Sequence, residues 1–268
     1  MPVTSPLSPD ELSTDLEFTG ARVVVTGGTR GIGAATAALL AESGARVVAI
    51  ARRSAPVPAG VHLITADLAT PDGTHVAAAA ALDYLGGIDV LVDNAGGNTQ
   101  VPDGVLAATD NDWHANLEAN LLSVIRLDRA LVPHMTAQGS GSVVHVSSNA
   151  ARFPQANGVP YAAAKAALNC YSKSLATACG PYGVRVTAVM PGVIETDAVE
   201  ASLVRAAERT GRDLDAVRAE FHQRLAAPIG RPGQPREAAE LIAFLASPRA
   251  SYLTGVAISL DGGLLPTL

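Results

Sequence analysis

Residues 21–33 read ARVVVTGGTRGIG, and this stretch decides the fold class. Residues 21–26 are a short, mostly β-branched apolar run, which predicts a buried strand. The glycines after it predict a sharp turn, and the Ala- and Leu-rich residues 32–43 predict a helix. A second apolar run at residues 45–50 completes a strand–helix–strand unit.

The same alternation continues to the end of the chain. Further apolar runs predict strands at residues 61–65, 88–92, 142–146, 184–189 and 256–260, and the Ala-rich residues 72–85 predict a helix. Strands that are apolar on both faces need helices on both sides of the sheet. The sequence therefore predicts an α/β fold: one doubly wound, Rossmann-type domain with a mostly parallel sheet of about seven strands flanked by helices.

The points where the alternation of strands and helices begins and is interrupted predict the domain organisation. Residues 1–18 carry three prolines and no apolar period, which is typical of an N-terminal arm on the surface. Residues 19–268 form the predicted folded domain. Within it, a polar, helical-looking insertion at about residues 195–228 has an amphipathic pattern, and we interpret it as a lid over a substrate.

The composition excludes several classes of protein. Of 268 residues, 48% are apolar and 16% charged, which excludes a disordered, collagen-like or coiled-coil chain. The formal net charge is -6, no segment carries a basic stripe, and aromatic residues are 4%, so we expect no nucleic-acid partner. No apolar run reaches the about 18 residues of a membrane span, and no secretory signal is visible, which predicts a cytoplasmic protein without a membrane partner. Cys170 and Cys179, the only cysteines, predict two reduced thiols.

The glycine-rich turn after the first strand predicts a nucleotide site. Its spacing is G-x-x-x-G-x-G, from Gly27 through Gly31 to Gly33. Glycines let the backbone approach a ligand closely, and the free N–H groups at the start of the next helix favour a pyrophosphate. A tight strand-to-helix turn without a ligand is the alternative for these glycines taken alone.

The end of the second strand predicts which dinucleotide binds. An acidic residue there would accept a hydrogen bond from a ribose 2′-hydroxyl, whereas arginine pairs with a 2′-phosphate. The chain has Arg52 and Arg53 at this point and no acid, with Arg30 in the glycine-rich turn. We therefore expect NADP(H), with NAD(H) still possible. The alternative is that these arginines are simply solvated.

Three further motifs follow in order: Asn94-Ala95-Gly96 after the fourth strand, Ser148 after the fifth, and Tyr161-x-x-x-Lys165 at the start of the next helix. Together with TGGTRGIG, these motifs over residues 20–263 resemble the classical short-chain dehydrogenase/reductase family. The resemblance implies an NAD(P)-dependent oxidoreductase that transfers a hydride between the nicotinamide cofactor and a ketone or secondary alcohol. Pro160, directly before the tyrosine, departs from the family pattern.

The resemblance also implies the roles of individual residues. It selects Ser148 over Ser147, because the family's serine lies thirteen residues before its tyrosine, and it makes Asn120, Ser148, Tyr161 and Lys165 the catalytic set. In the family, Asp67 corresponds to an aspartate that contacts adenine, and residues 191–196 correspond to the turn that holds the nicotinamide carboxamide. The implied cofactor-binding residues are Gly27, Thr29, Arg30, Gly31, Ile32, Gly33, Arg52, Arg53, Asp67, Leu68, Asn94, Ala95, Gly96, Tyr161, Lys165, Pro191, Gly192, Ile194 and Thr196.

The chemistry of these side chains fits hydride transfer. A phenol has a pKa near 10 and is a weak base at neutral pH, unless a nearby positive charge stabilises the phenolate. Tyr161 and Lys165 lie four residues apart and share a helix face, so we expect Lys165 to lower the pKa of Tyr161. Ser148 is expected to hold the substrate oxygen. The resemblance casts Asn120 as the holder of a water molecule.

Other features leave the substrate open. Candidate substrate-binding residues in the loops after the strands are Asn98, Gln100, Asn149, Arg152, Phe153 and Gln155. The histidines show no metal spacing, so no metal is expected, and His145 in an apolar strand is interpreted as a core histidine. A 3-oxoacyl-thioester reductase and a catalytically silent nucleotide-binding regulatory protein are the alternative functions. The resemblance implies a homo-oligomer, either a dimer or a homotetramer.

Overall fold

The computed structural model describes residues 17–98, 101, 103–225 and 227–266. The strands are β1 Arg22–Thr26, β2 Arg46–Ala51, β3 Val61–Thr65, β4 Val90–Asp93, β5 Gly141–Val146, β6 Val184–Pro191 and β7 Ala257–Leu260. The helices are α1 Gly31–Glu42, α2 Pro71–Leu85, α3 Asp110–Leu117, α4 Ser123–Gln138, α5 Val159–Cys179, α6 Asp197–Thr210, α7 Leu214–Arg224 and α8 Pro235–Ala246. A π-helical segment, Glu118–Leu122, joins α3 to α4.

The seven strands form one sheet in the order β3-β2-β1-β4-β5-β6-β7, and every neighbouring pair is parallel. This confirms the predicted doubly wound fold. From β1 the chain first winds outward through β2 to β3, and it then returns to place β4 on the other side of β1. The carboxyl ends of β1 and β4 therefore diverge into a crevice, which is where open α/β sheets bind their ligands.

Helices cover both faces of the sheet, as its apolar strands require. One face packs Val24, Leu91 and Val143 against α2, α4 and α5. The other face packs Val25 and Val92 against α1 and α8. Because successive residues of a strand point to opposite faces, every central strand contributes to both cores.

The folded part begins before the predicted boundary at residue 19. Phe18 is 5% exposed, packs in the core beside α1 and α8, and donates its backbone N–H to Ser43 O at 3.1 Å. Glu17 forms an ion pair with Arg249 at 3.0 Å. The predicted arm therefore does not extend to residue 18, and its residues 1–16 lie outside the described part of the chain.

The insertion at residues 195–228 contains α6 and α7, which contact each other. In α6, Leu203 and Ala207 are buried and the opposite face is charged, as the amphipathic pattern predicts. Its role as a lid remains a prediction. Among the described residues, no helix combines the length and the apolar character needed to cross a membrane.

Candidate active site

The glycine-rich turn joins β1 to α1 at the crevice. Gly27 and Gly31 have φ of 67° and 53°, a left-handed conformation that favours glycine. A side-chain carbon built on Gly33 would lie 2.2 Å from the carbonyl oxygen of Gly27, so only glycine lets α1 start this close to the strand. No side chain caps the start of α1, and its first turn carries no acid. The first N–H groups of α1 are therefore suited to a pyrophosphate.

The turn is supported from β4. Thr26 Oγ1 accepts the backbone N–H groups of Asn94 and Ala95 at 2.9 and 2.8 Å. Asn94 Nδ2 donates to the carbonyl oxygen of Thr26 at 2.9 Å. The prediction that Asn94 binds cofactor is therefore not supported for its side chain, which instead ties β4 to the end of β1. Sequence analysis missed the role of Thr26, although its position directly before the glycines was a signal.

Three arginines lie near this edge of the sheet without partners. Arg52 and Arg53 directly follow β2, Arg30 precedes α1, and all three are exposed. Within the described ranges, none of the three guanidinium groups makes an ion pair or hydrogen bond. Their donors are therefore free for a phosphate.

The adenine-side candidates follow β3, the neighbour of β2. Asp67 is exposed, and its Oδ1 accepts the backbone N–H of Ala69 at 3.1 Å. Leu68 is 7% exposed and packs into the core. The structure thus leaves Asp67 accessible but makes Leu68 largely structural.

The predicted catalytic serine and tyrosine meet beyond the end of β5. Ser148 Oγ accepts the N–H of Ala150 at 3.2 Å, and Ser148 lies close enough to Tyr161 to act on the pKa of its phenol. The neighbouring Ser147 is buried, and its Oγ donates to the carbonyl oxygen of Lys165 at 3.2 Å. This arrangement favours Ser148 over Ser147 as the serine available to a substrate.

Lys165 lies behind Tyr161, one turn further along α5. Its ammonium is 5.8 Å from the centre of the Tyr161 ring and donates to the carbonyl oxygen of Val146 at 2.8 Å. The residue is only 3% exposed. Burial lowers the pKa of Lys165 to about 8, and the negative charge of Asp93 opposes this shift.

The expected lowering of the Tyr161 pKa by Lys165 is not among the effects that dominate at this phenol, and it stays a prediction. Burial raises the pKa of Tyr161 above its ordinary value, and the neighbouring Ser148 acts in the opposite direction without reversing the shift. In a buried site the neutral phenol is favoured over the phenolate. Tyr161 therefore holds its proton at neutral pH.

Asn120 lies in the π-helical segment and is completely buried. Its Nδ2 donates to the carbonyl oxygens of Gly97 and Asn116 at 2.9 and 3.0 Å, and its Oδ1 accepts the N–H of Gly97 at 3.1 Å. Both amide protons are therefore occupied. The side chain anchors the loop after β4, and the expected role of Asn120 in holding a water molecule stays a prediction. A side-chain carbon on Gly96 would lie 2.6 Å from Asn120 Oδ1, so Gly96 permits this close approach.

The segment after β6 closes the opposite side of the crevice. Gly192 donates its N–H to Leu260 O at 2.9 Å, and Ile194 pairs with Gly233. The methyl group of Thr196 lies 3.1 Å from a side-chain carbon built on Gly31. The segment Pro191–Thr196 therefore reaches from β6 back to the glycine-rich turn. It brings together two groups of predicted cofactor residues that are far apart in the sequence.

The candidate substrate residues are distributed around this edge. The amide nitrogen of Asn149 lies 3.5 Å from a side-chain carbon built on Gly192, and the amide of Asn98 lies 3.8 Å from one built on Gly158. Arg152 and Phe153 follow in an exposed loop, as does Gln155. Gln100 lies outside the described residues.

A buried polar cluster next to Lys165 was not predicted. His145 Nε2 lies 3.1 Å from Asp128 Oδ2 and 3.9 Å from Asp93 Oδ2, and all three side chains are at most 2% exposed. The burial of His145 confirms its interpretation as a core histidine, but its two carboxylate neighbours were not predicted. The available signal was Asp93, an acid that ends an otherwise apolar strand.

Comparison with known proteins agrees with this geometry. A family model described as enoyl-(acyl carrier protein) reductase matches residues 27–265. Short-chain reductase protein NovJ of Streptomyces niveus is 37% identical over 267 residues, covering 96% of this chain and 98% of that protein. The 3-oxoacyl-(acyl-carrier-protein) reductase FabG of Vibrio cholerae is 34% identical, with 93% and 99% covered. L-Sorbose reductase of Gluconobacter frateurii, solved with NADPH and L-sorbose, superposes with a TM-score of 0.88 at 33% identity, with 95% and 100% covered.

Proposed function

The chain belongs to the short-chain dehydrogenase/reductase family of oxidoreductases, and we propose that it transfers a hydride between NADP(H) and a ketone or secondary alcohol, with Tyr161 as the general acid/base. The observation that carries this proposal is the position of the Lys165 ammonium 5.8 Å from the centre of the Tyr161 ring, with Ser148 near enough to act on the pKa of Tyr161. The three groups lie beyond the carboxyl end of β5, on the side of the sheet where the glycine-rich turn opens.

The choice of NADP(H) over NAD(H) is supported by the free arginines. Arg30, Arg52 and Arg53 are exposed cations, and no acidic residue occupies the end of β2 to compete for them. A 2′-phosphate would supply the missing anionic partner. The solved complex of L-sorbose reductase with NADPH supports the same choice by similarity.

The mechanism follows from what each side chain can do. A nicotinamide dinucleotide held at the glycine-rich turn between Gly27 and Gly33 would supply or accept the hydride. In the reducing direction, Tyr161 donates its hydroxyl proton to the substrate oxygen, and the Ser148 hydroxyl donates a hydrogen bond to the same oxygen. The Lys165 ammonium stabilises the negative charge left on Tyr161. Asn120 keeps the loop at Gly97 in place.

The pKa directions predict opposite pH dependences for the two reaction directions. Carbonyl reduction needs a protonated Tyr161 and a charged Lys165, so kcat should be constant near neutral pH and fall above about pH 8, where Lys165 loses its proton. Alcohol oxidation needs the Tyr161 phenolate, whose formation burial opposes, so its kcat should rise with pH through the neutral range. Both profiles are measured with saturating cofactor. A reduction rate that increases above pH 8 would contradict the assignment.

The proposal is tested by following NADPH oxidation with a panel of simple ketones, ketoses and β-keto thioesters. We expect oxidation with at least one class, and no oxidation when Tyr161 is replaced. Activity restricted to β-keto thioesters would favour the 3-oxoacyl reductase, the alternative supported by the similarity to FabG. NADPH binding without turnover across the panel would favour the silent nucleotide-binding protein.

Self-association and cellular location remain part of the proposal. Among the strands of the described residues, β7 is the last of the sheet and pairs only with β6, which leaves its other edge able to pair. A groove between α4 and α5 is lined by Val132, Tyr171 and Leu175 among others. These two surfaces support a homodimer or homotetramer, which sedimentation analysis would test, and we expect the protein in the cytoplasm.

A further inference from the structure

Glu195 lies where the segment Pro191–Thr196 meets the insertion that contains α6 and α7. Its carboxylate is approached from two sides. Gln234 Nε2 donates to Glu195 Oε2 at 2.6 Å, and His222 Nε2 of α7 lies 3.8 Å from Glu195 Oε1. One side chain of the segment therefore contacts both the last helix of the insertion and the residue that directly precedes α8.

The backbone of this segment is held by a single short pairing. The Glu195 N–H donates to Gly233 O at 2.8 Å, and the Gly233 N–H donates to Val193 O at 3.0 Å. These two bonds flank Ile194, which forms an isolated bridge with Gly233 and is not part of a longer ladder. Since one bridge fixes only a few backbone dihedral angles, the hydrogen bond of the Glu195 carboxylate is an additional restraint on the segment.

Gln234 is a well-anchored partner for this carboxylate. Its backbone N–H donates to Glu237 Oε2 at 2.7 Å at the start of α8, and Ile242 of the same helix is completely buried in the core. The Glu195 side chain is 35% exposed, so its charge-assisted bond to Gln234 is partly shielded from water. This bond thus ties Pro191–Thr196 to an element of the core.

The insertion is a weaker support for the segment. Among the described residues of α6 and α7, only Leu203 and Ala207 of α6 are buried. The two helices are joined to each other by an ion pair between Arg218 and Glu200 at 2.6 Å, which lies within the insertion. Elements with few buried apolar side chains open most easily. The Glu195 carboxylate therefore has its firm support at α8 and not in the insertion.

The position of this segment affects the predicted cofactor site. Glu195 lies between Ile194 and Thr196, two of the predicted cofactor-binding residues. The Thr196 methyl group lies 3.1 Å from a side-chain carbon built on Gly31. A movement of the segment would therefore change the space beside the glycine-rich turn.

We propose that Glu195 is a positioning residue, which holds Pro191–Thr196 in the conformation that receives the nicotinamide end of the dinucleotide by tying the segment to Gln234. Its carboxylate touches neither the substrate nor the reacting atoms and acts through its neighbours Ile194 and Thr196. The inference rests on the proposed function, because the segment matters only if a nicotinamide dinucleotide binds at the glycine-rich turn.

Two ligands separate this role from general damage to the site. NADPH carries both the nicotinamide and the 2′-phosphorylated adenosine, whereas adenosine 2′,5′-bisphosphate carries only the second part. In Glu195→Ala the segment is competent in only a fraction of the molecules, and the apparent affinity for NADPH falls by that fraction. The dissociation constant of NADPH, measured by calorimetric titration, should therefore increase at least about threefold, while that of the bisphosphate should stay unchanged.

Three further variants sharpen the test. Glu195→Gln keeps an oxygen that accepts from Gln234 but lacks the charge, so its NADPH affinity should lie between those of the wild type and Glu195→Ala. Gln234→Ala should weaken NADPH binding as Glu195→Ala does, and the double variant should bind no more weakly than either, because both changes remove the same bond. Glu200→Gln breaks the pair with Arg218 inside the insertion. It is the matched control and should leave both dissociation constants unchanged.

An unchanged NADPH affinity in Glu195→Ala, or an equal weakening of the two ligands, would overturn the inference. If that variant does not fold, Gln234→Ala decides by the same criteria. NADPH binding that depends on Glu195 but is accompanied by no turnover of any carbonyl compound would refute the proposed hydride transfer and support the inference. A wild-type protein that binds neither ligand would refute both.

Discussion

Replacing Tyr161 by phenylalanine should reduce kcat for carbonyl reduction by about 100-fold to 10,000-fold, the usual contribution of a general acid. The substitution removes only the hydroxyl and leaves the ring that lies beside Lys165. NADPH binding, measured by fluorescence titration, should therefore remain close to that of the wild type. Such a loss of kcat with retained binding would place Tyr161 in the chemical step.

Tyr182→Phe is the matched control. This tyrosine follows α5, is 59% exposed, and lies in the short helical turn Gly180–Tyr182. The same loss of a hydroxyl there should leave kcat unchanged. Equal turnover in the two variants would exclude Tyr161 as the acid/base.

Replacing Arg52 by aspartate should weaken NADPH binding at least about tenfold, because a charge-assisted hydrogen bond contributes about 1.5–3 kcal/mol. The new carboxylate would repel a 2′-phosphate but accept a hydrogen bond from a 2′-hydroxyl, so NADH binding should be retained or improved. Fluorescence titrations of the two cofactors measure the ratio of their dissociation constants.

Arg129→Asp makes the same charge reversal on α4, where the arginine is also exposed. It should leave the ratio of the two dissociation constants unchanged. If Arg52→Asp weakened both cofactors equally, the effect would be general damage to the site. If it changed neither, Arg52 would not contact the cofactor phosphate.

Several element boundaries show where local patterns are insufficient. β3 spans Val61–Thr65, as its apolar run predicts. By contrast, β4 starts at Val90 and not at residue 88, although the backbone of Asp89 already donates to Arg22 O at 2.8 Å and accepts from Ser142 N at 2.9 Å. β6 continues to Pro191, since this proline is paired with Leu260 of β7 and its missing N–H does not prevent that pairing.

In the candidate site, too, some features follow from local sequence patterns and others only from the packing of separate elements. The positions of Ser148, Tyr161 and Lys165 follow from short-range spacing, and the structure brings all three together. The anchoring of Gly97 by Asn120 joins residues on separate elements, so no local pattern reveals it. The raised pKa of Tyr161 depends on how completely the folded chain excludes water from its hydroxyl, which the identity of a neighbour four residues away does not specify.

The sequence by itself determined the family, the parallel sheet and the glycine-rich turn, because alternating apolar runs and short motifs act over a few neighbouring residues. Only the tertiary structure decided that Asp93, Asp128 and His145 meet in one buried cluster. Their spacing along the chain carries no signal, and the charges they carry depend on a buried environment that exists only once β4, β5, α4 and α5 have packed together.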